Sequence, residues 1–458
     1  MNGKTESIQS PIKTPTIQLP ESSYILLSKT VDSMQKVLIL TYYWPPSGGP
    51  GVQRWLKFAG YLPEFGYQPY VVTVDPAQAT YPVADDSLVE QVPEKVKVFP
   101  TPTLEPYSIY RKISGRKQVP YSGFTNEPSS GIFTKFSRFV RGNLFVPDAR
   151  KGWNAYALKE ARRLIIEHKI NIVITTSPPH STQLIGLQLK KEFPSIKWIA
   201  DLRDPWTDIF YYEKMLHLPL VRNYDLRLEK KVLTQADWVI SVSSFIKDLF
   251  VGKVPSQNKN KFQVITNGYD EPDFNQLVGY PPNDVFTISY VGTLSEAYDI
   301  WGMIRAIDSL QDILPKPVHL HFTGSLSDAW RDALYALPPQ IWSTEGHVSH
   351  RAALERMRKS HILLLIIPKI EQNKGIVTGK IFEYIASEKP ILGIGPVDGD
   401  AASILKTTRS GKMFDYHDIA GMIGFIKSVL SDSKHFPDKE AIKSYSRKKL
   451  TKKLVGLF

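Results

Sequence analysis

Two series of short apolar runs, alternating with stretches of helical spacing, constrain the fold of this chain more than any other feature. Continuous rather than alternating apolar residues are typical of parallel strands that are covered by helices on both faces. The first series comprises KVLIL (36–40), YVVTV (70–74), VKVF (96–99), NIVITT (171–176), KWIADL (197–202), DWVISV (237–242) and FQVIT (262–266). The second series comprises FTISYVG (286–292), VHLHFTG (318–324), HILLLIIP (361–368) and KPILGIG (389–395).

This pattern predicts an α/β protein with two Rossmann-like, doubly wound parallel-sheet domains that face each other across a cleft. A chain of 458 residues is also longer than one ordinary core supports. The predicted divisions are a disordered tail at 1–33, an N-terminal domain at 34–270, a linker at 271–285, a C-terminal domain at 286–436 and a closing helix at 437–458.

The composition favours some kinds of partner and excludes some kinds of site. The 57 Lys and Arg residues exceed the 45 Asp and Glu residues and give a formal charge of +12, which favours an anionic partner. The absence of cysteine excludes disulfides, thiolate metal sites and cysteine nucleophiles. No apolar run is long enough to predict a spanning helix. The polar tail has no signal-peptide pattern, and an alternative start of the chain is Met34.

Two loops that follow strands of the first series are candidate ligand contacts. Gly48 and Gly49 lie between the first strand and a helix, where they either make a tight connection or let backbone approach an anion. The loop lacks the spacing of a P-loop or of a dinucleotide-binding turn. His180 follows NIVITT just before a helix for which Ser181 or Thr182 is the expected cap. His180 is either a cleft residue or an ordinary polar loop residue.

The segment WIADLRDPWTD places acidic groups, a guanidinium and an aromatic ring at the end of one strand. Asp201, Arg203, Asp204 and Trp206 suit sugar recognition, because carboxylates accept from hydroxyl groups and an indole packs on sugar carbons. The alternative is a structural cluster in which Arg203 and Asp204 pair with each other.

The segment TGKIFEYIASEKPILGIG predicts a glycine-containing loop and a helix capped by Thr378. Lys380 and Glu383 lie three residues apart and therefore share a face. A phosphate at the helix start would meet free N–H groups and the Lys380 charge, with Glu383 about 7 Å along the axis. The alternative is an amphipathic helix with an exposed Lys–Glu pair.

Taken in order, eight segments make the chain resemble a family 4 glycosyltransferase of the GT-B fold, from about Lys36 to the C-terminus. They are LTYYWPPSGGPGVQRW, FVPDARKGW, TTSPPHST, ADLRDPWTD, VITNGYD, ISYVGTL, GHVSHRAALERMRKSHILLLI and TGKIFEYIASEKPILGIGP.

The resemblance implies retaining transfer of a sugar from a nucleotide-diphosphate sugar to an acceptor hydroxyl, without a metal or another cofactor. The C-terminal domain would hold the donor through Thr293, Thr378, Lys380 and Glu383, with Glu383 on the ribose, and Gly48 and Gly49 of the N-terminal domain would also contact the donor. The N-terminal domain would hold the acceptor, a glycan or lipid-linked molecule, near Asp201 and Trp206. His180, Arg203 and Asp204 would line the reacting centre, with positioning and electrostatic roles.

The sequence departs from the family pattern at three positions. The first glutamate of the family signature would fall at Gly375, and the cations that neutralise the diphosphate would fall at Thr293 and Tyr298. A metal-free site needs such charges. The candidate replacements are Lys380, Lys374, Arg54 and Arg203. Asp398-Gly399-Asp400 resembles a metal-binding motif, but its position before a helical stretch favours a turn and a helix cap.

The segment GIFTKFSRFVRGNLFVPDARKGW (131–153) interleaves phenylalanines with Lys and Arg. It predicts either a helix packed on its own domain or a peripheral contact with an anionic membrane at the cytoplasmic face. The leading hypothesis is a glycosyltransferase of cell-surface polysaccharide or glycolipid synthesis. A catalytically weakened homologue that binds a sugar or nucleotide is the alternative. Nucleic-acid binding ranks last, because no nucleic-acid module is recognisable.

Overall fold

A computed structural model describes residues 34–105, 132–275, 284–311, 318–335, 337–431 and 436–458. The predicted tail at 1–33 and most of the predicted linker, 276–283, lie outside these residues, so their character stays a prediction. No helix of the described part is long and apolar enough to cross a membrane.

The N-terminal half forms a seven-stranded parallel sheet in the order β3-β2-β1-β4-β5-β6-β7. Its strands are β1 (Gln35–Leu40), β2 (Tyr67–Val74), β3 (Lys97–Thr101), β4 (Ile172–Ser177), β5 (Lys197–Leu202), β6 (Trp238–Ser241) and β7 (Phe262–Val264). Its helices are α1 (Pro50–Tyr61), α2 (Ile132–Leu144), α3 (Asn154–His168), α4 (Ser181–Glu192), α5 (Pro219–Gln235) and α6 (Ser244–Lys253).

The C-terminal half repeats this arrangement with six parallel strands in the order β10-β9-β8-β11-β12-β13. Its strands are β8 (Thr287–Val291), β9 (His319–Thr323), β10 (Trp342–Glu345), β11 (Ile362–Ile366), β12 (Ile391–Ile394) and β13 (Gly411–Phe414). The remaining helices are α7 (Glu271–Asn275), α8 (Trp301–Gln311), α9 (Asp328–Tyr335), α10 (His350–Lys359), α11 (Lys380–Ala386), α12 (Asp400–Thr408), α13 (Ile419–Leu430), α14 (Lys439–Lys443) and α15 (Arg447–Val455).

The prediction of two doubly wound α/β domains is confirmed, and the sheet order explains where a ligand can bind. In each sheet the order of strands reverses once, between β1 and β4 and between β8 and β11. Open sheets of this kind bind ligands beyond the carboxyl ends of the strands at such reversals. Strands β10 and β13 were not predicted, because WSTE and GKMF are only four residues long and have one and two apolar residues.

Alternate residues of one strand enter cores on opposite faces of the sheet. In β1, Val37 and Ile39 lie in one buried cluster, and Leu38 and Leu40 lie in another. Burial on both faces favours apolar side chains at successive positions, which is why the buried part of β1, residues 37–40, is a continuous apolar run.

The end of the chain passes from the C-terminal domain to the N-terminal domain. Ile442 of α14 is buried in the C-terminal core. Leu450 and Leu454 of α15 are buried in the N-terminal core, and Lys453 Nζ donates to the Val264 carbonyl at 2.8 Å. The predicted closing segment 437–458 is therefore divided, since only α15 packs on the N-terminal sheet.

A buried ion pair ties α1 to the carboxyl end of the N-terminal sheet. Arg54 Nη2 lies 2.9 Å from Asp201 Oδ1, and both side chains are at most 1% exposed. Asp201 also accepts from Trp55 Nε1 at 2.7 Å and from Thr176 Oγ1 at 2.8 Å. The second Arg54 nitrogen, Nη1, donates to the Thr266 carbonyl at 2.8 Å. One carboxylate thus connects α1, β4 and β5, and its arginine reaches the end of β7.

Replacing Asp201 with alanine should lower the free energy of unfolding by about 3–5 kcal/mol, because Arg54 would stay buried without a counter-charge. Urea-induced unfolding followed by tryptophan fluorescence measures this loss. The matched control is Lys448→Ala, which removes an exposed ion pair with Glu64 and should leave the midpoint nearly unchanged. Equal effects of the two substitutions would contradict the role given to Asp201.

Candidate functional site

The glycine-rich loop before α1 is shaped by its neighbours in two ways. Gly48 N donates to the Val83 carbonyl at 2.9 Å, and a Cβ at Gly48 would lie 3.0 Å from the Val83 side chain. Gly49 precedes α1 with φ of 104°, a left-handed conformation that favours glycine, and open space surrounds it. Of the two predicted donor contacts, Gly49 therefore has room for a ligand, whereas Gly48 packs against its own domain.

Arg203 lies beside this loop at the carboxyl end of β5. A Cβ at Gly51 would be 1.8 Å from Arg203 Nη1, so the glycine makes room for the guanidinium. Arg203 Nε donates to the Ser177 carbonyl at 3.1 Å, and Nη2 donates to the Pro178 carbonyl at 3.0 Å. These bonds hold Arg203 at the end of β4, next to Asp204. Burial raises the pKa of Asp204 even though the Arg203 charge lowers it.

His180 is a buried, uncharged ring in the same place. Its ring stacks on the indole of Trp206, with centroids 5.1 Å apart and planes 11° apart. Burial lowers the pKa of His180 to about 3, with further contributions from Arg203 and Lys253. Neither ring nitrogen has a hydrogen-bond partner within the described residues. His180 is therefore a neutral ring with two unpartnered nitrogens in the described part of the chain, and not an imidazolium.

Three expectations for this edge need correction. Asp201 is fully buried and its oxygens are taken by Arg54, Trp55 and Thr176, so it does not present a carboxylate to an acceptor. Trp206 is 2% exposed, because its face is covered by His180 and its Nε1 donates to Asp225 Oδ1 at 2.9 Å. Both residues support the site from behind.

The third correction concerns the cap of α4. The expected caps, Ser181 and Thr182, do not fill this role, because the carboxylate of Asp148 accepts from Ser181 N at 2.7 Å and from Ser181 Oγ at 2.8 Å. Asp148 was missed, although its segment FVPDARKGW was among those that carry the family resemblance. It fixes the start of α4, and with it the position of His180.

The C-terminal sheet presents a buried amine at the end of β8. Lys380, the first residue of α11, reaches back so that its Nζ lies 4.0 Å from the centroid of the Tyr290 ring and donates to Tyr290 Oη. Tyr290 Oη in turn donates to the Thr293 carbonyl at 2.7 Å. Gly292 has φ of 130°, and a Cβ there would lie 2.5 Å from Lys380 Cε. The glycine is thus required for the lysine to pass.

Burial among aromatic rings lowers the pKa of Lys380 to about 7, although the Glu383 charge raises it. An amine with this pKa changes charge readily near neutral pH. The Tyr298 ring, at a position where the family carries a cation, lies 5.8 Å from the same amine. The charge at this strand end therefore comes from α11.

Glu383 and Thr378 flank Lys380 but differ from expectation. The residue before α11 is Gly379, and Thr378 Oγ1 is buried without a hydrogen-bond partner in the described part, so Thr378 is not the predicted cap. Glu383 lies three residues into the helix, roughly 4.5 Å along its axis. Its Oε1 lies 3.0 Å from Nε2 of His350, and this bond raises the pKa of His350. Thr293 is exposed.

The carboxyl edges of the two sheets meet at Gly375. A Cβ at Gly375 would lie 2.7 Å from the Phe245 ring of the N-terminal domain. The backbone N–H of Phe245 donates to Asp400 Oδ2 at 2.9 Å, so α12 of one domain caps α6 of the other. Where the resemblance predicts a glutamate, the chain has a packed contact between domains. No side chain can replace Gly375 without moving Phe245.

Of the four candidate cations, Lys380 alone lies at the end of β8 without an ion-pair partner among the described residues. Arg54 is bound to Asp201, Arg203 lies in the N-terminal domain, and Lys374 forms an exposed ion pair with Asp398. No group of three or more His, Cys, Asp or Glu in the described ranges could hold a metal ion.

Comparison with known proteins supports the two-domain fold. The model of Glycosyltransferase Family 4 matches residues 121–273, in the N-terminal half. Three solved structures are similar over nearly the whole chain. HepE from Anabaena, in complex with UDP-glucose, is 13% identical, with a TM-score of 0.54 and coverage of 92% of this chain and 98% of that one.

The other two structures carry the names of enzymes. The lipopolysaccharide outer core galactosyltransferase WaaB is 13% identical, with a TM-score of 0.54 and coverage of 93% and 99%. The UDP-forming trehalose-phosphate synthase from Burkholderia vietnamiensis is 11% identical, with a TM-score of 0.61 and coverage of 92% and 97%. Identities this low establish the fold alone. No curated protein matches the sequence.

Introducing glutamate at Gly375 should loosen the contact between domains, because its side chain would displace Phe245. We expect a lower thermal midpoint and a larger radius of gyration in small-angle scattering. The matched control is Gly346→Ala, where a Cβ meets only open space. An unchanged thermal midpoint and an unchanged radius of gyration in Gly375→Glu would contradict the packing argument.

Proposed function

We propose that this chain, a GT-B protein whose residues 121–273 match family 4 of the glycosyltransferases, transfers a sugar from a nucleotide-diphosphate sugar with retention of configuration. The acceptor is a glycan or lipid-linked molecule of cell-surface polysaccharide synthesis. The observation that carries the proposal is the buried amine of Lys380 at the strand reversal of the C-terminal sheet.

The chemistry asks for positive charge at that place. As the bond from the sugar C1 to the diphosphate oxygen breaks and C1 bonds to the acceptor oxygen, negative charge grows on the diphosphate, which then takes the proton that the acceptor hydroxyl releases. Preorganised donors stabilise such charge strongly in a dry site. Lys380 supplies it from α11, which compensates for Thr293 and Tyr298. We therefore propose that the transfer needs no metal ion and no cofactor.

The other predicted residues take supporting roles in this proposal. Glu383 binds the ribose, and His350 holds its carboxylate in place. His180, Arg203 and Asp204 line the acceptor side of the reacting centre, where a neutral His180 can hydrogen-bond a sugar hydroxyl. The backbone at Gly49, Thr293 and Thr378 contributes polar groups to the donor.

A panel of nucleotide sugars that includes UDP-glucose identifies the donor that the unmodified chain uses. Replacing Lys380 with methionine should reduce turnover of that donor by about 100-fold or more. The long apolar side chain fits among Tyr290 and Tyr298, so the thermal midpoint should hold. Glu383→Ala should also abolish most turnover.

A weakened homologue, which the changes at Gly375, Thr293 and Tyr298 favour, would bind the nucleotide sugar without turnover in the unmodified chain. Absence of both binding and turnover with every donor would overturn the proposal.

The pH dependence gives a second measurement on the same residue. Below pH 7 the Lys380 amine is charged and attracts the diphosphate, and above its pKa of about 7 it is neutral. Affinity for UDP-glucose should therefore fall as the pH rises through 7, with proton uptake on binding at pH 7. Lys380→Arg, which stays charged, is the control and should bind with little pH dependence. Titration calorimetry in buffers of different ionisation enthalpy measures both effects.

We further propose peripheral contact with an anionic membrane at the cytoplasmic face of the plasma membrane. Helix α2 and the segment 213–224 are joined by hydrogen bonds of Asn143 to Leu216 and Leu218. Together they expose Phe136 (64%), Leu144 (72%) and Leu220 (84%) beside several lysines and arginines. Arg150, predicted to belong to this face, is instead buried against Glu105.

Replacing Leu220 with aspartate should weaken sedimentation with phosphatidylglycerol vesicles by roughly tenfold, because a membrane-inserted leucine contributes about 1.5–3 kcal/mol. The matched control is Ile166→Asp on α3, an exposed apolar residue away from the surface. Equal loss from both substitutions, or equal binding to phosphatidylcholine vesicles, would refute the membrane contact. Steeply salt-dependent binding to RNA or DNA would instead favour the nucleic-acid hypothesis.

A further inference from the structure

The loop that follows β5, residues 203–212, carries Arg203, Asp204 and Trp206; we call it the β5 loop. Within the described part of the chain, no backbone N–H of residues 204–210 donates to a backbone carbonyl. The loop is therefore not held by regular secondary structure, and its conformation depends on what its side chains contact.

Helix α5 supplies two buried carboxylates to the β5 loop. Asp225, which is 2% exposed, accepts from Trp206 Nε1 and from Tyr212 Oη, each at 2.9 Å. Glu229, four residues on and so on the same face of α5, accepts from Thr207 Oγ1 at 2.6 Å and is fully buried. Three side chains of the loop are thus bound to acidic groups that lie away from solvent.

Lys253, the last residue of α6, is the cation of this cluster. Its Nζ donates to Glu229 Oε2 and to Thr207 Oγ1 at 2.6 Å, and it lies 2.5 Å from Asp208 Oδ2. An ammonium has three N–H donors, so these contacts use the whole group. Lys253 is only 14% exposed, and it joins α5, α6 and two residues of the β5 loop.

The C-terminal domain contacts the other end of the same helix. The backbone N–H of Phe245, the second residue of α6, donates to Asp400 Oδ2 at 2.9 Å, and the Phe245 ring packs on Gly375. Helix α6 has ten residues and is therefore about 15 Å long. The C-terminal domain thus helps to set where α6 begins, and α6 ends at Lys253.

We infer that Lys253 is a positioning residue of the proposed transfer, which holds the β5 loop and thereby Arg203 and Asp204 at the reacting centre, and that Asp400 of the C-terminal domain acts on the same loop through α6. This role deepens the proposed function and rests on it. The place of Lys253 near the centre supports the role, because its charge adds to the effect of burial in lowering the pKa of His180.

The alternative is that Lys253 only stabilises the N-terminal domain. Lys190 provides the comparison, because it is 19% exposed and its Nζ lies 2.8 Å from Asp237 Oδ2. Asp237 also accepts from Trp198 N at 2.7 Å, at the amino end of β5. Lys190 is therefore a half-buried, paired lysine of the same domain at the opposite edge of the sheet.

Limited proteolysis of the full chain tests the role without any substrate. The β5 loop contains chymotrypsin sites at Trp206 and at residues 210–212, so the initial rate of cleavage there reports how often the loop is released. Lys253→Met should raise this rate by about tenfold or more, because two carboxylates lose their counter-charge. Lys190→Met is the control and should leave it unchanged. Asp208→Asn, which keeps the pair of Lys253 with Glu229, should raise the rate to a smaller extent.

A double variant tests the link through α6. Asp400→Ala should also raise cleavage of the β5 loop, but it should add little in a chain that already carries Lys253→Met. Substitutions about 15 Å apart normally have additive effects, so this lack of additivity is diagnostic. In a chain that carries Lys190→Met, Asp400→Ala should keep its full effect.

Turnover gives the functional measurement. With the donor that the unmodified chain uses, Lys253→Met should lower kcat by about tenfold or more at unchanged donor affinity, because the loop lies outside the donor-binding domain. Lys253→Arg, which keeps a cation with several donors, should restore most of the turnover. Absence of turnover in the unmodified chain would count against the proposed function, and the proteolysis would still decide the role of Lys253.

Four results would overturn this role. They are unmodified cleavage of the β5 loop in both Lys253→Met and Asp208→Asn, equal effects of Lys253→Met and Lys190→Met, additive effects of Asp400→Ala and Lys253→Met, and an unchanged kcat of Lys253→Met in an active chain.

Discussion

The contact between Arg54 and Asp201 is the interaction on which the N-terminal half of the site depends. A guanidinium and a carboxylate are buried together at the point where the strand order reverses. A buried pair of this kind stabilises little relative to an apolar pair, but it is intolerant of any other geometry. Because Asp201 also binds Trp55 and Thr176, helix α1, β4 and β5 share one arrangement. The glycine-rich loop and Arg203 are positioned by that arrangement.

In the C-terminal half, the residues that follow β8 include Thr293 and Tyr298 at the positions where the family carries cations. The cation at the end of β8 comes instead from Lys380 of α11. Gly292 leaves space for the Lys380 stem, and Tyr290 supplies a ring face and a hydroxyl. The same rings exclude water, and this burial lowers the pKa of the Lys380 amine. Charge and desolvation are therefore coupled in one side chain.

The parts of the fold that show as runs of apolar residues could be predicted from the sequence. Strands such as β1 and β11 are continuous apolar runs, so their existence and parallel arrangement could be inferred. Strands β10 and β13 lie at sheet edges with few apolar residues, and periodicity does not reveal them. The site residues were found by their position after strands, but that position does not tell whether a side chain faces a ligand or the core. Asp201 and Trp206 face the core, so their predicted contact with an acceptor was wrong.

Contacts between distant segments were harder to predict. The bond from Asp148 to the start of α4 spans more than thirty residues, and nothing in the spacing of either segment implies it. The place of Gly375 against Phe245 is likewise visible only when both domains are folded. In the sequence it is one residue that departs from a family signature. In the structure it is one half of a contact, so the loss of the glutamate and the presence of the aromatic ring have a common explanation.

The cap that Asp400 provides for α6 has a thermodynamic consequence for the separation of the two domains. A charge-assisted hydrogen bond between halves contributes about 1.5–3 kcal/mol net. If the halves part, that bond is lost and the Phe245 ring meets water. Any motion that parts the two sheets must therefore break this bond and uncover the Phe245 ring where it packs on Gly375, which favours the closed arrangement of the halves.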